Sequence, residues 1–429
     1  MNNELKNRII DLIKQEVVPA IGCTEPIAVA LCVARATELL GCAPEKITLD
    51  LSGNIIKNAM GVGIPGTGMI GLPIAVALGA LCGKSEYKLE VLRDVNPEWI
   101  EKGKEMIAAE KIDIRHYKEA PAILYIDVTA DGGGHSSRCV ISGSHTNFVL
   151  QERDGEILES AEGASGENQR TPGDVKLTER LVYEFATETP FEDIEFILEA
   201  GRLNRRAAEL ALRDDYGHGL GKVLMGGGRR FFGDTPVSHI LSLTSAACDA
   251  RMGGAPVAVM SNSGSGNQGI TATLPVVCYA EETGASDEQL ARALALSSLT
   301  SIYIKQSLGR LSALCGCVVA STGASAGLVY LMGGDYEKVC AAIKNMIANL
   351  TGMICDGAKP ACAMKIASGV STAVLSALLA MNGKCVSSQE GIISEDIDAT
   401  IHNLTSIGRE AMSETDHLVL DIMVNKTNN

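Results

Sequence analysis

The stretch KITLDLSG, residues 46–53, places an apolar side chain at every second position. Its isoleucine and two leucines would point to one face of an extended chain, which predicts a half-buried strand. Upstream, the letters CTEP supply a cap residue, an acid and an early proline, so a helix is predicted to begin at residues 24–26 and to end near Gly41. The N-terminal part therefore contains helix and strand side by side.

Further strand patterns follow in the same part of the chain. YKLEVLRDV (residues 87–95) and AILYIDVTA (122–130) are predicted strands, with a helix over 97–112 between them. SRCVISGSHTNFVLQ (137–151) is predicted to be a hairpin that turns at GSH. Together these elements indicate an α+β region.

A polar stretch from Gln151 to Lys176 is rich in Gly, Glu and Asp and has no sustained apolar period, which predicts a linker or an edge segment. Beyond it, Ala-, Leu- and Ser-rich segments of helical length alternate with glycine clusters. Aromatic residues make up only 4% of the chain and glycines number 45, a composition that favours close-packed helices over a β-sandwich. We expect an α+β domain over 1–176 that ends in the polar linker, and a mainly α-helical, cluster-binding domain over 177–429.

The net charge of −15 argues against a nucleic-acid partner, because phosphate binding requires a basic surface. The opening sequence MNNELKNRIIDLIKQE is charged throughout and does not resemble a signal peptide. The uncharged run IASGVSTAVLSALLAMNG has too few strongly apolar residues for a membrane span. We therefore expect a soluble, cytoplasmic protein with no membrane partner.

Four of the 13 cysteines lie in two short segments, Cys315 and Cys317 in LSALCGCVVA and Cys355 and Cys362 in MICDGAKPACAMK. Disulfides do not persist in a reducing cytoplasm, which leaves a metal site or buried core thiols. The glycine and proline between the second pair would let both sulfurs turn toward one point. Three thiolates could hold zinc or a [4Fe–4S] cluster with an open iron, and core filling stays equally open.

Cys23, in IGCTEPIAVA, precedes a predicted helix start, where free N–H groups would lower the pKa of its thiol. A small buried residue at a helix entrance is the competing interpretation. Downstream, Asn54, Lys57 and Asn58 lead into a glycine-rich loop that matches neither the Rossmann nor the P-loop pattern. We interpret this region as a pocket for a small carboxylate, with a plain tight loop as the alternative.

The segment MSNSGSGNQGITATLP (260–275) places Ser263, Ser265 and Asn267 before a predicted helix. Hydroxyl, amide and helix N-terminal N–H groups together can bind a carboxylate or an amino acid. A flexible linker could have the same composition, but the apolar segments on both sides favour a buried functional loop.

Several segments together resemble one family: IGCTEPIAVA, KNAMGVGIPGTG, SNSGSGNQG, CGC and ICDGAKPAC are similar to signatures of the L-cysteine desulfidases, relatives of the iron–sulfur L-serine dehydratases. The resemblance runs over nearly the whole chain. It implies that the helical half corresponds to the dehydratases' catalytic α domain, in which three cysteines hold a [4Fe–4S] cluster. The segment CDGAKPAC is a shortened version of the dehydratases' CDP…PC, which argues against assigning serine as the substrate outright.

Carried over to this sequence, the resemblance implies Cys355 and Cys362 as cluster ligands, with Cys315 preferred to Cys317 as the third. It implies Cys23 as the proton acceptor. The expected reaction is β-elimination of L-cysteine to pyruvate, ammonia and sulfide, with L-serine or a related β-substituted amino acid second. A non-catalytic metal-binding or redox-sensing protein is the alternative of another class, and a homodimer is the assembly we keep open.

Overall fold

A mixed β-sheet with helices on it occupies the N-terminal part, and a large helical layer follows. The structure, a computed structural model, describes residues 1–160, 175–309 and 312–425. Its strands are β1 (Pro19–Ile21), β2 (Lys46–Leu51), β3 (Ile112–His116), β4 (Tyr125–Gly132), β5 (His135–Ser142), β6 (Phe148–Arg153), β7 (Glu156–Ser160) and β8 (Ala258–Met260). Its helices are α1 (Asn3–Glu16), α2 (Thr24–Leu40), α3 (Gly53–Ala59), α4 (Leu72–Cys82), α5 (Pro97–Ala108), α6 (Glu179–Glu188), α7 (Phe191–Ile194), α8 (Leu198–Arg213), α9 (Leu220–Met225), α10 (Arg229–Phe232), α11 (Pro236–Met252), α12 (Gly266–Thr283), α13 (Asp287–Leu308), α14 (Gly316–Leu331), α15 (Tyr336–Leu350), α16 (Cys362–Met381), α17 (Ile397–Ser406) and α18 (Ser413–Asn425).

Six strands form the main sheet, in the order β3-β2-β4-β5-β6-β7. Strands β2 and β3 run parallel, and the other neighbours are antiparallel. The alternation predicted for β2 is confirmed, because Ile47, Leu49 and Leu51 are fully buried. Helix α2 contacts β4 and β5 and ends at Gly41, as predicted. The hairpin of β5 and β6 is confirmed as well.

The helical part is built around α14, which contacts α12, α13, α15 and α16. Small residues bring these helices close: a Cβ at Gly323 would clash with the main chain of Ser297 on α13. An α+β N-terminal region followed by a mainly α-helical C-terminal part is therefore confirmed.

The boundary between the two parts differs from a simple cut at residue 176. Helix α1 packs into the core of the helical part through Ile9 and Ile13, and β1 pairs antiparallel with β8. Of the two alternatives predicted for the polar stretch, an edge segment holds for residues 151–160, which run through β6 and β7 at the edge of the sheet. The rest of that predicted linker, residues 161–174, lies outside the described residues.

The strand predicted over residues 87–95 is wrong. The chain forms a short 3₁₀ helix over Ser85–Glu90 and then a turn. Contacts within the segment explain the difference, since Lys84 Nζ lies 2.8 Å from Asp94 Oδ2 and the Arg93 guanidinium lies 3.3 Å from the Tyr87 ring centroid. These local contacts fold the segment onto itself.

One helix among the described residues, α16, is long and apolar enough to meet a length-and-composition test for a membrane span. Half of the apolar stretch of α16 is buried inside the fold. A core helix passes the same test, so this finding is weak evidence for a span.

Glu179, the first residue of α6, yields a prediction about stability. Its side chain is fully buried, and Oε1 accepts a hydrogen bond from Thr300 Oγ1 at 2.9 Å. Burial raises the pKa of this carboxyl to about 8. Because the folded state then binds the proton more tightly than the unfolded state, the free energy of unfolding should fall as the pH rises from about 5 to about 8.

Glu179→Gln should remove this pH dependence. Relative to the unchanged protein, the variant should gain on the order of 3 kcal/mol between pH 5 and pH 8, measured by urea denaturation. Glu188→Gln, an exposed position on the same helix, is the matched control. Equal pH dependence in all three proteins would contradict the prediction.

Candidate active site

The thiols of Cys315 and Cys355 are brought together by two short main-chain segments. Residues 313–315 run antiparallel to 353–355: Cys315 N donates to Met353 O at 2.9 Å, and Cys355 N donates to Ala313 O at 2.6 Å. The two thiols influence each other's ionisation. Cys315 also occupies the N-cap position of α14, so the same residue begins the helix and contributes to the thiol pair.

The neighbouring thiol of Cys315 lowers the pKa of Cys355, and Lys57 acts in the same direction. Cys355 and burial raise the pKa of Cys315. These surroundings favour the thiolate at Cys355, and a thiolate is the form that binds metals.

Cys362 is the first residue of α16, at the end of the turn that begins at Cys355. Its thiol lies 3.6 Å from Gly357 O and interacts electrostatically with Cys355. Gly357 has a φ of +86°, and a Cβ there would clash with the carbonyl of Lys57. This glycine allows the turn to press against α3, so the N-terminal part contributes to the position of the thiols.

Cys317 is the second residue of α14, two positions after Cys315, and its thiol has a different partner. Its thiol donates to Lys365 O at 3.1 Å. A nearby thiol, Cys248 on α11, interacts electrostatically with Cys317 and with Cys362. The contact between Cys315 and Cys355 thus favours Cys315 as the third member of the predicted ligand set.

The side chains gathered here are thiols, and thiolates bind both zinc and iron–sulfur clusters. Among the described residues, no three His, Cys, Asp or Glu side chains are arranged to hold one metal ion. A [4Fe–4S] cluster binds each thiolate through a different iron, so its ligands need not meet at one point.

Cys23 is buried at the N-terminal cap of α2. Its thiol donates to Glu25 Oε2 at 3.0 Å and lies 3.8 Å from Asn58 O. The expected lowering of its pKa is wrong: burial, and then the carboxylate of Glu25, raise it, while Arg251 acts in the opposite direction. Desolvation of the thiolate exceeds the effect of the helix N-terminus. In this structure Cys23 is a thiol with a carboxylate as its hydrogen-bond acceptor.

The predicted residues of α3 have different surroundings. Lys57 is buried, forms an ion pair with Asp416 of α18 and acts on Cys355. Asn58 meets Cys23 through its carbonyl oxygen. The buried Oδ1 of Asn54 has no hydrogen-bond partner among the described residues.

Of the predicted residues in the loop after β8, Asn267 reaches the thiols. Its Oδ1 accepts from Arg251 Nη1 at 3.1 Å and lies 3.7 Å from the Cys248 sulfur. Ser263 donates to the Asn262 side chain, and Ser265 caps α12. The two serines shape the loop, whereas Asn267 lies in the site.

Four site residues were missed by sequence analysis: Glu25, Cys248, Arg251 and Gln268. Arg251 is buried near the end of α11 and interacts electrostatically with Cys23 and Cys248. Gln268 is buried, and its side chain lies against Gly316, between Cys315 and Cys317 in sequence. The sequence CDAR at the end of an apolar helix was a signal for a buried charge, because an arginine on such a helix is shielded from water.

A cavity of about 730 Å³ lies elsewhere, between α15 and α16. Its lining consists of aliphatic, serine and asparagine side chains, among them Leu375, Leu379 and Asn345. No cysteine or charged residue lines it, so it offers no group for acid–base or metal chemistry.

Comparisons with known proteins show a family match over most of the chain. The family model described as serine dehydratase alpha chain matches residues 86–421. That range contains the thiols of α14 and α16 and the site residues of α11 and α12, but Cys23 and α3 precede it.

Three curated relatives match almost end to end. A UPF0597 protein of Bacteroides fragilis is 61% identical over 427 residues, which cover 99% of this chain and 100% of that protein. A UPF0597 protein of Porphyromonas gingivalis is 53% identical over 435 residues, covering 99% and 100%. A UPF0597 protein of Oleidesulfovibrio alaskensis is 49% identical over 425 residues, covering 98% of each chain.

The thiol geometry predicts which cysteines are needed for iron. After anaerobic reconstitution with iron and sulfide, Cys315→Ala, Cys355→Ala and Cys362→Ala should each bind less iron than the unchanged protein, because each loses a ligand. Cys317→Ala should keep its iron, since the thiol of Cys317 is engaged with Lys365 O. Iron per chain and visible absorbance are the measurements.

Cys278→Ala is the control, because this buried thiol of α12 lies near Arg205 and Glu281 instead. Loss of iron in Cys317→Ala with full retention in Cys315→Ala would assign the third ligand to Cys317.

Proposed function

The chain belongs to the serine dehydratase alpha chain family, and we propose that it is an iron–sulfur-dependent carbon–sulfur lyase that converts L-cysteine to pyruvate, ammonia and sulfide. The observation that carries the proposal is the proximity of two sets of groups. Asn267 Oδ1 accepts from Arg251 and lies 3.7 Å from the Cys248 sulfur. Arg251 interacts electrostatically with Cys23, and Cys248 interacts electrostatically with Cys362.

The three thiols are the ligands that we propose for a [4Fe–4S] cluster. When bound by three cysteines, such a cluster supplies a Lewis acid at the iron that lacks a protein ligand. Lys57 and Lys365 act on Cys355 as positive charges, which favours the thiolate that ligation requires.

Cys23 and Glu25 are the groups that we propose to move the proton. Transfer of the thiol proton to Glu25 Oε2, its acceptor at 3.0 Å, leaves a thiolate at Cys23. This thiolate takes the proton from Cα of the substrate, forming S–H as the Cα–H bond breaks. The electron pair forms the Cα=Cβ bond, and hydrosulfide leaves from Cβ.

The product of that step, aminoacrylate, tautomerises to an imine, and water hydrolyses the imine to pyruvate and ammonia. Arg251 lowers the pKa of Cys23 and so offsets part of the cost that burial imposes on this thiolate. The amide of Asn267 and the α12 N-terminus are close enough to the thiols to orient a small amino acid.

Two other functions lead to different outcomes. L-Serine would undergo the same elimination with loss of hydroxide, and the membership in the serine dehydratase alpha chain family makes it the second candidate. A metal-binding or redox-sensing protein would use the thiols but not the Cys23–Glu25 pair. We expect the protein to act in cysteine catabolism in the cytoplasm. Its assembly as a homodimer stays a prediction.

An anaerobic assay of the cluster-loaded protein with L-cysteine and L-serine side by side tests the proposal. Sulfide and pyruvate should form in equal amounts from L-cysteine, and faster than pyruvate forms from L-serine. Pyruvate from serine without sulfide from cysteine would make it a serine dehydratase. If neither substrate gives a product while the cluster is intact, the non-catalytic metal-binding or redox-sensing function is the remaining candidate.

The proposed proton acceptor gives a second prediction. Cys23→Ala should lower kcat by roughly a hundredfold or more, because general-base catalysis contributes at least that factor. Iron content should not change, since Cys23 is not in the proposed ligand set.

Cys32→Ala is the matched control: this thiol is buried on the same helix but donates to Cys139 O at 3.3 Å, away from the site. Full activity in Cys23→Ala would exclude Cys23 as the base.

A further inference from the structure

Arg251 is a buried cation without an anion among the described residues. Its side chain is on α11 with 5% of the residue exposed, and its Nε has no hydrogen-bond partner there. The neighbour that it binds, Asn267 Oδ1, is neutral. Burying an unpaired charge is costly, and proteins retain such a group where a ligand supplies the opposite charge.

The guanidinium is closely packed on one side. A Cβ at Gly266 would clash with Nε and Cζ, and Asn267 Oδ1 accepts from Nη1 at 3.1 Å. The same Oδ1 lies 3.7 Å from the Cys248 sulfur, and Arg251 also interacts electrostatically with Cys23. An anion on Arg251 would thus lie near Cys248 and near the proposed proton acceptor.

Gln268 follows Asn267, the residue that binds Arg251, on α12 and supplies a buried acceptor. Its Nε2 donates to Asn262 O at 3.4 Å, whereas its Oε1 is buried without a partner among the described residues. The absence of a side chain at Gly316 makes room for this amide at the start of α14. An unpaired buried acceptor costs about 1–3 kcal/mol, which a donor on a ligand would recover.

We propose that Arg251 and Gln268 form the binding site for the α-carboxylate and α-ammonium groups of a free amino acid. The planar guanidinium binds a carboxylate through two parallel N–H···O bonds, and Oε1 of Gln268 accepts from the ammonium. Both groups sit on the same carbon of an amino acid, next to the Cα–H that Cys23 must reach. This inference deepens the proposed function and rests on it only for the identity of the side chain removed.

A different role for Arg251 would be to neutralise thiolates of the ligand set. The two roles separate in experiment. A residue that neutralises the thiolates is needed for iron binding, whereas a residue that binds the carboxylate is needed for amino-acid binding with iron unchanged.

The test measures binding of L-alanine, which has no β-leaving group, to the cluster-loaded protein by anaerobic calorimetry, with iron per chain measured in parallel. The unchanged protein should bind L-alanine and should not bind L-alaninamide, which lacks the carboxylate. Arg251→Gln should weaken L-alanine binding roughly tenfold to a hundredfold with full iron content, and Arg251→Lys less, since lysine binds through one point.

Gln268→Met should weaken L-alanine but leave the weaker binding of propanoate, which has no ammonium group, unchanged. Arg292→Gln is the matched control. Arg292 is a largely buried arginine that donates to main-chain carbonyls at the end of α6 and has no part in the site. Circular dichroism of each variant verifies folding, and Arg251→Lys keeps the test valid if Arg251→Gln does not fold.

Unchanged L-alanine affinity in Arg251→Gln, or iron loss that parallels the loss of binding, would overturn the inference. The proposed lyase function fails separately. If L-alanine binds through Arg251 but no amino acid is eliminated, the binding site stands without the lyase. If Arg251→Gln releases sulfide with an unchanged KM, the lyase stands without this binding site.

Discussion

Two stretches of main chain, residues 313–315 and 353–355, hold each other through antiparallel hydrogen bonds, and the arrangement of the thiols depends on that contact. Without it, the start of α14 and the turn before α16 would be separate loops. Gly357 extends the same constraint to α3, because the turn can touch Lys57 only where no side chain intervenes. The positions of the thiols are therefore set by main-chain contacts.

The polar groups inside this frame are expensive to bury. A cation at Arg251, an amide acceptor at Gln268 and a thiol–carboxylate pair at Cys23 and Glu25 lie within a largely apolar core. Packing alone would not select such residues, since an apolar side chain of similar size would be more stable there. Their cost is consistent with a site built to receive a charged small molecule.

The local sequence pattern was enough to predict those helices and strands whose structure depends only on residues close by in the sequence. The alternation in β2 and the glycine that ends α2 are of this kind. The segment 87–95 has the same alternation, but its charged side chains pair with each other and no strand lies beside it. The pKa of Cys23 was misjudged for a similar reason, because burial and Glu25 are tertiary facts. Arg251 and Gln268 were missed since an arginine or a glutamine becomes informative only when its burial and its missing partner are known.

The pairing of β1 with β8 and the placement of α1 in the helical core have a consequence for biogenesis. Residues 19–21 must wait for partners more than 200 positions later in the chain before they can pair. The turn that carries Cys355 and Cys362 is synthesised later still. An inorganic centre held by these thiols could therefore form only after α1, β1 and β8 have all been synthesised.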